Sequence, residues 1–400
     1  MNILFLTHML PYPPTDGARI RSFNLLKTLA RHHEVSLVSF ISETTRQEDI
    51  EELRGFVHDL QTVFRPQKYA VKDLLRGVCT SEPFTIINYR SGEMAEVVGR
   101  KLDEGIDAVH CEHLNMAQYA PTGRGLKRII DMHNVESEIM RRYGEKASDP
   151  LKAIYSKMTA KKLARYEREV LGGFDLCTAV SVRDADHMRA FCSNTVVVDN
   201  GVDLDTFTRR KNTVNEPRLV YTGWMKYHAN NDAAKFFCAE ILPVIKKDMP
   251  EVTVDIVGKE PSDEVLKLGE INGVNVTGAV PDIRPFINGA AVYIVPLRVG
   301  GGTRLKILEA MATGIPIVST SVGCEGIGLT DGEDILIADT PEEFARQTLR
   351  LLGDGSLRER LAVKARKLVE ERFSWKMIGE KLLDSYNSLS AGESYKEISL

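Results

Sequence analysis

Residues 300–320 read GGGTRLKILEAMATGIPIVST: three glycines, a helical run, and a β-branched run. Leu305, Leu308 and Met311/Ala312 recur at helical spacing, Gly314 ends the periodicity, and Ile315–Thr320 reads as a strand. A helix N-terminus offers unpaired N–H groups and partial positive charge, so it attracts phosphate, and glycines let backbone approach an anion closely. Thr303, Lys306 and Glu309 are spaced three apart. Lys306 to Glu309 adds about 4.5 Å along the axis and Thr303 to Glu309 about 9 Å, roughly the reach from the phosphates of a nucleotide to its ribose. The basic residues would meet phosphate and the Glu309 carboxylate would accept from ribose hydroxyls. The competing reading is an ordinary amphipathic helix with a solvated Lys306–Glu309 pair. Gly300, Gly301 and Gly302 argue against it, because glycine is a poor choice where no close approach is needed.

Outward from this stretch, strand and helix alternate. The first half predicts strands at Ile3–Thr7, Val35–Phe40, Gln61–Phe64, Asp107–Cys111, Arg128–Met132, Asp175–Ser181 and Thr195–Asp199, with helices between them. A second series follows the polar stretch 208–217: strands at Arg218–Thr222, Val252–Val257, Val274–Thr277, Ala291–Pro296, Ile315–Thr320 and Ile335–Ile337. This rhythm argues for α/β architecture, with mostly parallel sheets and helices on both faces. The expected division is a first domain over 1–207, a linker over 208–217, a second domain over 218–374, and a terminal segment over 375–400 whose end frays.

Four hundred residues suit two domains, each with its own core. A net charge of −4 gives no reason to expect nucleic-acid binding. No run of about 18 apolar residues is present, no signal peptide is read at the start, and six scattered cysteines without C-x-x-C read as cytosolic thiols. The opening strand is followed by HMLPYPPTDGARIRS, not G-x-G-x-x-G, which counts against a nicotinamide-dependent oxidoreductase.

The 300–320 segment resembles the donor-site signature of the retaining, GT-B-fold glycosyltransferases of family 4, in which two glutamates eight positions apart bracket a sugar nucleotide ahead of a pattern like LEAMA-x-G-x-P-VV. Glu309 matches the second glutamate; Gly301 stands where the first would fall. The GGGTR-x-K form is similar to an exopolysaccharide-associated subgroup. The resemblance implies the GT-B fold, two Rossmann-like βαβ domains facing a central cleft, with the last helix crossing back onto the first domain. It also implies transfer of a sugar from a nucleoside diphosphate donor to a glycan or lipid-linked acceptor with retention, in cell-surface polysaccharide synthesis.

On that basis the donor site would comprise Gly17, Lys226, Val280, Gly301, Gly302, Thr303 and Glu309, with Arg304 and Lys306 neutralising the departing diphosphate. Gly17 lies in PYPPTDGARIR, which reads either as a loop over the donor or as a Pro-rich turn and helix cap. Lys226 follows a strand-end glycine after which the family usually places an arginine; here Trp224 stands there. Val280 lies in GAVPD, where family loops meet the base through backbone groups. His133 matches the family histidine near the donor sugar and would hydrogen-bond a hydroxyl. His110 and Glu112 are acceptor-side candidates. The run His110-Cys111-Glu112-His113 has metal-ligand types, but alternate strand residues face opposite ways, so no metal and no cofactor are expected. Asn200-Gly201 reads as a turn favouring positive φ. The basic stretch 141–168 is either an amphipathic surface for anionic lipid or a solvated face; the expected location is cytoplasmic, peripheral on the inner membrane face if lipid is met. Two other functions stay open: a sugar-nucleotide epimerase and a non-catalytic nucleotide-sugar-binding subunit.

Overall fold

The computed structural model describes residues 1–66, 77, 80–123, 125–146, 149–210, 214, 216–300 and 305–392. The chain divides into two compact units, Met1–Asp199 with Ile378–Leu400, and Asn200–Met377.

In the first unit seven parallel strands form one sheet in the order β3-β2-β1-β4-β5-β6-β7. They are β1 (Asn2–Thr7), β2 (Glu34–Ile41), β3 (Asp59–Phe64), β4 (Ala108–Glu112), β5 (Lys127–Met132), β6 (Leu176–Ala179) and β7 (Thr195–Val197). Short apolar runs such as Ile3–Leu6 suit strands covered on both faces, and those four residues are fully buried. The helix Gly17–Ala30 returns from β1 to β2 and is N-capped by the Asp16 side chain, which accepts from Arg19 N. Order reverses between β1 and β4, and such switch points open a crevice beyond the carboxyl ends of the strands.

The second unit holds six parallel strands in the order β10-β9-β8-β11-β12-β13: β8 (Arg218–Thr222), β9 (Thr253–Val257), β10 (Val274–Gly278), β11 (Val292–Val295), β12 (Ile317–Ser319) and β13 (Leu336–Ile337). Its switch point lies between β8 and β11. The crossover from β11 to β12 contains the helix Leu305–Thr313, which ends at Gly314 with φ 68°, the left-handed stop that glycine tolerates. Gly301, Gly302, Thr303 and Arg304 lie outside the described residues.

Residues 200–210, which sequence placed with the first domain and the linker, pack with the second unit. Val202 bridges to Ser374, and Arg210 N donates to Thr313 O. Gly201 is not at positive φ, contrary to the turn reading. It is glycine because a Cβ would sit 2.8 Å from the Trp375 ring. The helix Trp375–Ser390 carries residues from 378 onward into the first unit, where Gly379 lies against Thr28.

Candidate functional site

In each unit some of the candidate residues lie at the switch point of the sheet. In the second, β8 ends in Thr222-Gly223 and the helix Leu305–Thr313 brings Lys306 beside it. Lys306 Nζ donates to Asn230 Oδ1 (2.8 Å) and Tyr221 Oη (3.3 Å), and lies 4.3 Å from the Tyr221 ring centroid. A Cβ on Gly223 would come 2.8 Å from Asn230 Nδ2 and 2.9 Å from Lys306 Nζ, and a Cβ on Gly258 would run into the Gly223 carbonyl. These two glycines let the β8 and β9 loops close beside the lysine. Tyr221 and Asn230 carried no motif; their i, i+9 pairing emerges only when the loop after β8 folds back.

Glu309 lies one turn beyond Lys306 and is half-buried. Among the described residues its carboxyl group has no hydrogen bond or ion-pair partner. Burial pushes it up to about 7, with Lys306 pulling part of the way back. A half-charged acid with no partner among the described residues is costly for stability alone and suits an external ligand.

The other donor-side residues are less committed. Lys226 is exposed and pairs with Glu260 (3.2 Å). Val280 lies half-buried in the loop after β10, packed against the core. Gly17 is the exposed first residue of its helix, so the cap reading of that loop is realised.

In the first unit β1, β4 and β5 end in His8, His113 and His133. The His8 ring is 4.9 Å from His113 and 6.5 Å from His133, centroid to centroid. His133 Nε2 reaches Glu112 Oε2 (2.8 Å) and Asp131 Oδ2 (3.2 Å). Behind them Arg21 grips Asp131 with both Nε (2.7 Å) and Nη2 (2.5 Å). Ser22 Oγ donates to Glu112 Oε2 (2.6 Å), and Thr178 Oγ1 donates to Asp131 Oδ1. His110 Nε2 meets Glu112 Oε1 (3.1 Å), while its Nδ1 meets Tyr386 Oη (2.6 Å).

This corrects the acceptor-side reading. His110 and Glu112 are fully buried and turned inward: Glu112 accepts from His133, and His110 meets Glu112 and Tyr386. Asp131, Arg21 and Tyr386 were missed. Asp131 was findable, since residues two apart on a strand share a face and His133 is two residues on. Arg21 and Tyr386 read as ordinary helix residues. Glu112, Asp131 and His133 bring donor atoms within 4.8 Å of one another. All four carboxylate oxygens already accept from protein donors, however, and Arg21 supplies a cation, so the trio is a charge-compensated network.

Burial alone would lower the His133 imidazole, but its bonds to Asp131 and Glu112 hold it up at about 9. Burial would raise Glu112, and Asp131 adds to that, yet the two histidines hold it down at about 2. Burial would raise Asp131 too; Arg21 keeps it well below the usual range. His8 is pushed the other way, well below 6.5, by burial first and then by His113, His133, Arg65 and Arg19. Among the described residues His8 Nδ1 and His113 Nδ1 are buried without hydrogen-bond partners, and His113 has φ 81°, a left-handed conformation that is a costly choice for histidine.

Part of the 141–168 basic stretch is spent internally. Arg141 pairs with Glu138 and Glu145, Arg142 with Glu138, and Lys162 donates to Gly77 O. On the helix Pro150–Leu171, Leu151 is 78% and Ile154 64% exposed, with exposed Lys152 and Lys157 beside them. Among the described residues no helix is long and apolar enough to cross a membrane.

Residues 15–206 match the family model described as Glycosyltransferase Family 4, and residues 216–354 the one described as Glycosyl transferases group 1. An uncharacterised 44.6 kDa protein in the cps region of Klebsiella pneumoniae is 21% identical over 380 residues, covering 92% of this chain and 95% of that protein. A phosphatidyl-myo-inositol mannosyltransferase of Mycobacterium leprae is 23% identical over 218 residues, 53% of this chain and 58% of that protein. Among solved structures, sucrose-phosphate synthase from Thermosynechococcus elongatus superposes with TM-score 0.73 at 16% identity, over 98% of this chain and 100% of that one. Anabaena HepE, in complex with UDP, does so with TM-score 0.69 at 14% identity, over 97% and 100%.

Proposed function

We propose, from the premise that this chain belongs to the family 4 glycosyltransferases with the GT-B fold, that it moves a sugar from a nucleoside diphosphate to a glycan or lipid-linked acceptor with retention of configuration, in cell-surface polysaccharide or glycolipid synthesis. The observation that carries the reading is the Glu309 carboxyl, without a partner among the described residues and one turn from Lys306, at the switch point of the second sheet. A nucleotide fits it: ribose hydroxyls donate to the carboxylate, and the diphosphate meets Lys306 and the loop at Gly223. Gly301, Gly302, Thr303 and Arg304 are assigned to the same anion, Lys226 to its outer edge, Val280 to the base and Gly17 to the loop over the sugar. HepE with bound UDP supports this choice of ligand by analogy of fold.

The bond from the anomeric carbon to the diphosphate oxygen breaks while Lys306 and Arg304 offset the growing charge. The acceptor hydroxyl oxygen bonds to that carbon from the same face, and its proton passes to the released phosphate oxygen. No protein carboxylate base is needed. His133 is assigned a sugar hydroxyl as hydrogen-bond donor.

The experiment is a thermal-shift panel of UDP, GDP and their sugar conjugates, followed by calorimetry on Glu309→Ala. Binding at a hundred times Kd stabilises the folded state by about 2.7 kcal/mol. Stabilisation by one nucleoside diphosphate, lost in the variant while its fold persists, is expected; a flat panel would sink the proposal.

The exposed Leu151 and Ile154 with Lys152 and Lys157 are assigned to anionic lipid, which suits a lipid-linked acceptor. Wild-type protein should sediment with phosphatidylglycerol vesicles and Leu151→Ser/Ile154→Ser should not. Equal sedimentation of the two would refute this assignment.

A further inference from the structure

Hydrogen-bond polarity in the first unit runs in one direction. Glu112 is held ionised, so both its oxygens accept only. His110 must then donate from Nε2 to Glu112 Oε1, while its Nδ1 meets the Tyr386 hydroxyl. On the other oxygen, Ser22 and His133 both donate. His133 Nε2 therefore carries hydrogen, shared between Glu112 and Asp131. Charge points to a second proton on the ring. Glu112 and Asp131 bring two negative charges into a fully buried position and Arg21 returns one positive charge. A neutral His133 would leave Glu112, Asp131, Arg21 and His133 with a net charge of about −1, costly in a low-dielectric setting; an imidazolium closes the sum of these four. With Nε2 committed inward, Nδ1–H is the ring's second donor and has no protein partner among the described residues.

We propose that Glu112 and Asp131 are positioning residues that hold His133 doubly protonated as a one-way donor, and that Tyr386 on the terminal helix completes the device by orienting Glu112 through His110. The partner of His133 must then present a lone pair or negative charge: a sugar oxygen, a phosphate or a carboxylate. His133 cannot serve as a general base at neutral pH. The inference deepens the reading of His133 given above and rests on it for the ligand, but the protonation claim stands without any ligand.

The groups facing His133 include both signs. Glu112 on β4, Asp131 on β5 and Glu136 on the following helix favour its charge. Arg21 on the first helix shares the Asp131 carboxylate with it, and the His8 and His113 rings lie beside it. His113 is itself paired with Glu136 Oε1 (3.1 Å), and His8 is held neutral, so the two carboxylates in direct contact prevail.

The experiment is a pH titration of histidine-15N-labelled full-length protein, with His133→Asn to assign the resonance and a thermal melt to check folding. Both His133 ring nitrogens should remain protonated from pH 6 to 8 in wild type, with the midpoint near 9. Glu112→Gln should move that midpoint down by at least one unit, and Glu112→Asp should restore part of it. Tyr386→Phe removes only a hydroxyl and should give a smaller downward shift, so it is the variant to use if Glu112→Gln does not fold. Wild-type His133 titrating near 6.5, or a midpoint unmoved in a folded Glu112→Gln, overturns the proposal. The ligand assignment is read separately, from kcat and KM of the same variants with UDP- and GDP-sugars. Transfer activity absent from wild type with every donor defeats the functional reading and leaves the titration result standing.

Discussion

Glu309→Gln should weaken nucleotide binding and stabilise the empty protein at once. The carboxyl group is held at about 7 by burial against an ordinary value of 4.5. A raised folded-state value means that the folded chain binds the proton more tightly than the unfolded chain does. Stability from this group is therefore full below pH 4.5 and is lost as pH rises to 7. The loss amounts to roughly 3 kcal/mol at 1.36 kcal/mol per unit, an upper figure for a half-buried group. The amide carries no such cost, so the variant should melt higher than wild type at pH 8, with the gap closing towards pH 4.5. Binding runs the opposite way. Ribose hydroxyls prefer the carboxylate, so wild-type affinity should rise about tenfold between pH 6 and pH 8 as the group ionises through 7, with proton release on binding. Phosphate ionisation of the ligand contributes equally to wild type and variant, so the difference between the two isolates Glu309. The assays are thermal melts of both empty proteins from pH 5 to 8 and calorimetry with the nucleoside diphosphate that wild type binds, in two buffers of different ionisation enthalpy. A Glu309→Gln protein with unchanged affinity and the same pH dependence as wild type would refute the reasoning.

Lys306→Met should lower affinity for the nucleoside diphosphate by roughly 10- to 100-fold, the worth of a charge-assisted hydrogen bond, while sparing the nucleoside; equal losses by calorimetry would place the lysine away from phosphate. Gly223→Ala should reduce donor binding with a folded second unit, because the new Cβ meets the Asn230 amide and the Lys306 ammonium; unaltered binding would show that the loop yields. Arg21→Met should destabilise the first unit by about 3–5 kcal/mol, since it leaves two buried carboxylates with one cation fewer; denaturant melts measure this, and a loss under 1 kcal/mol would show that water already reaches the cluster.

Much of the architecture is legible in order along the chain. Runs such as Ile3–Thr7 and Arg218–Thr222 are short, apolar and spaced by helices, a periodicity that parallel sheets covered on both faces impose on neighbouring residues. The helix ending at Gly314 and its Lys306–Glu309 spacing are equally local, since backbone geometry alone sets them. The state of each side chain is not local. Burial decides that Glu309 is half-titrated near 7, and sheet order decides that Glu112, Asp131 and His133, on or beside two strands, gather with Arg21 from the first helix. Tyr386 reaches His110 across 276 positions, and no pattern in either segment announces the other. Period and propensity depend on residues a few positions apart, and so can be read from sequence. Charge state, desolvation and hydrogen-bond polarity depend on which distant atoms share a low-dielectric space, and only the folded chain decides that.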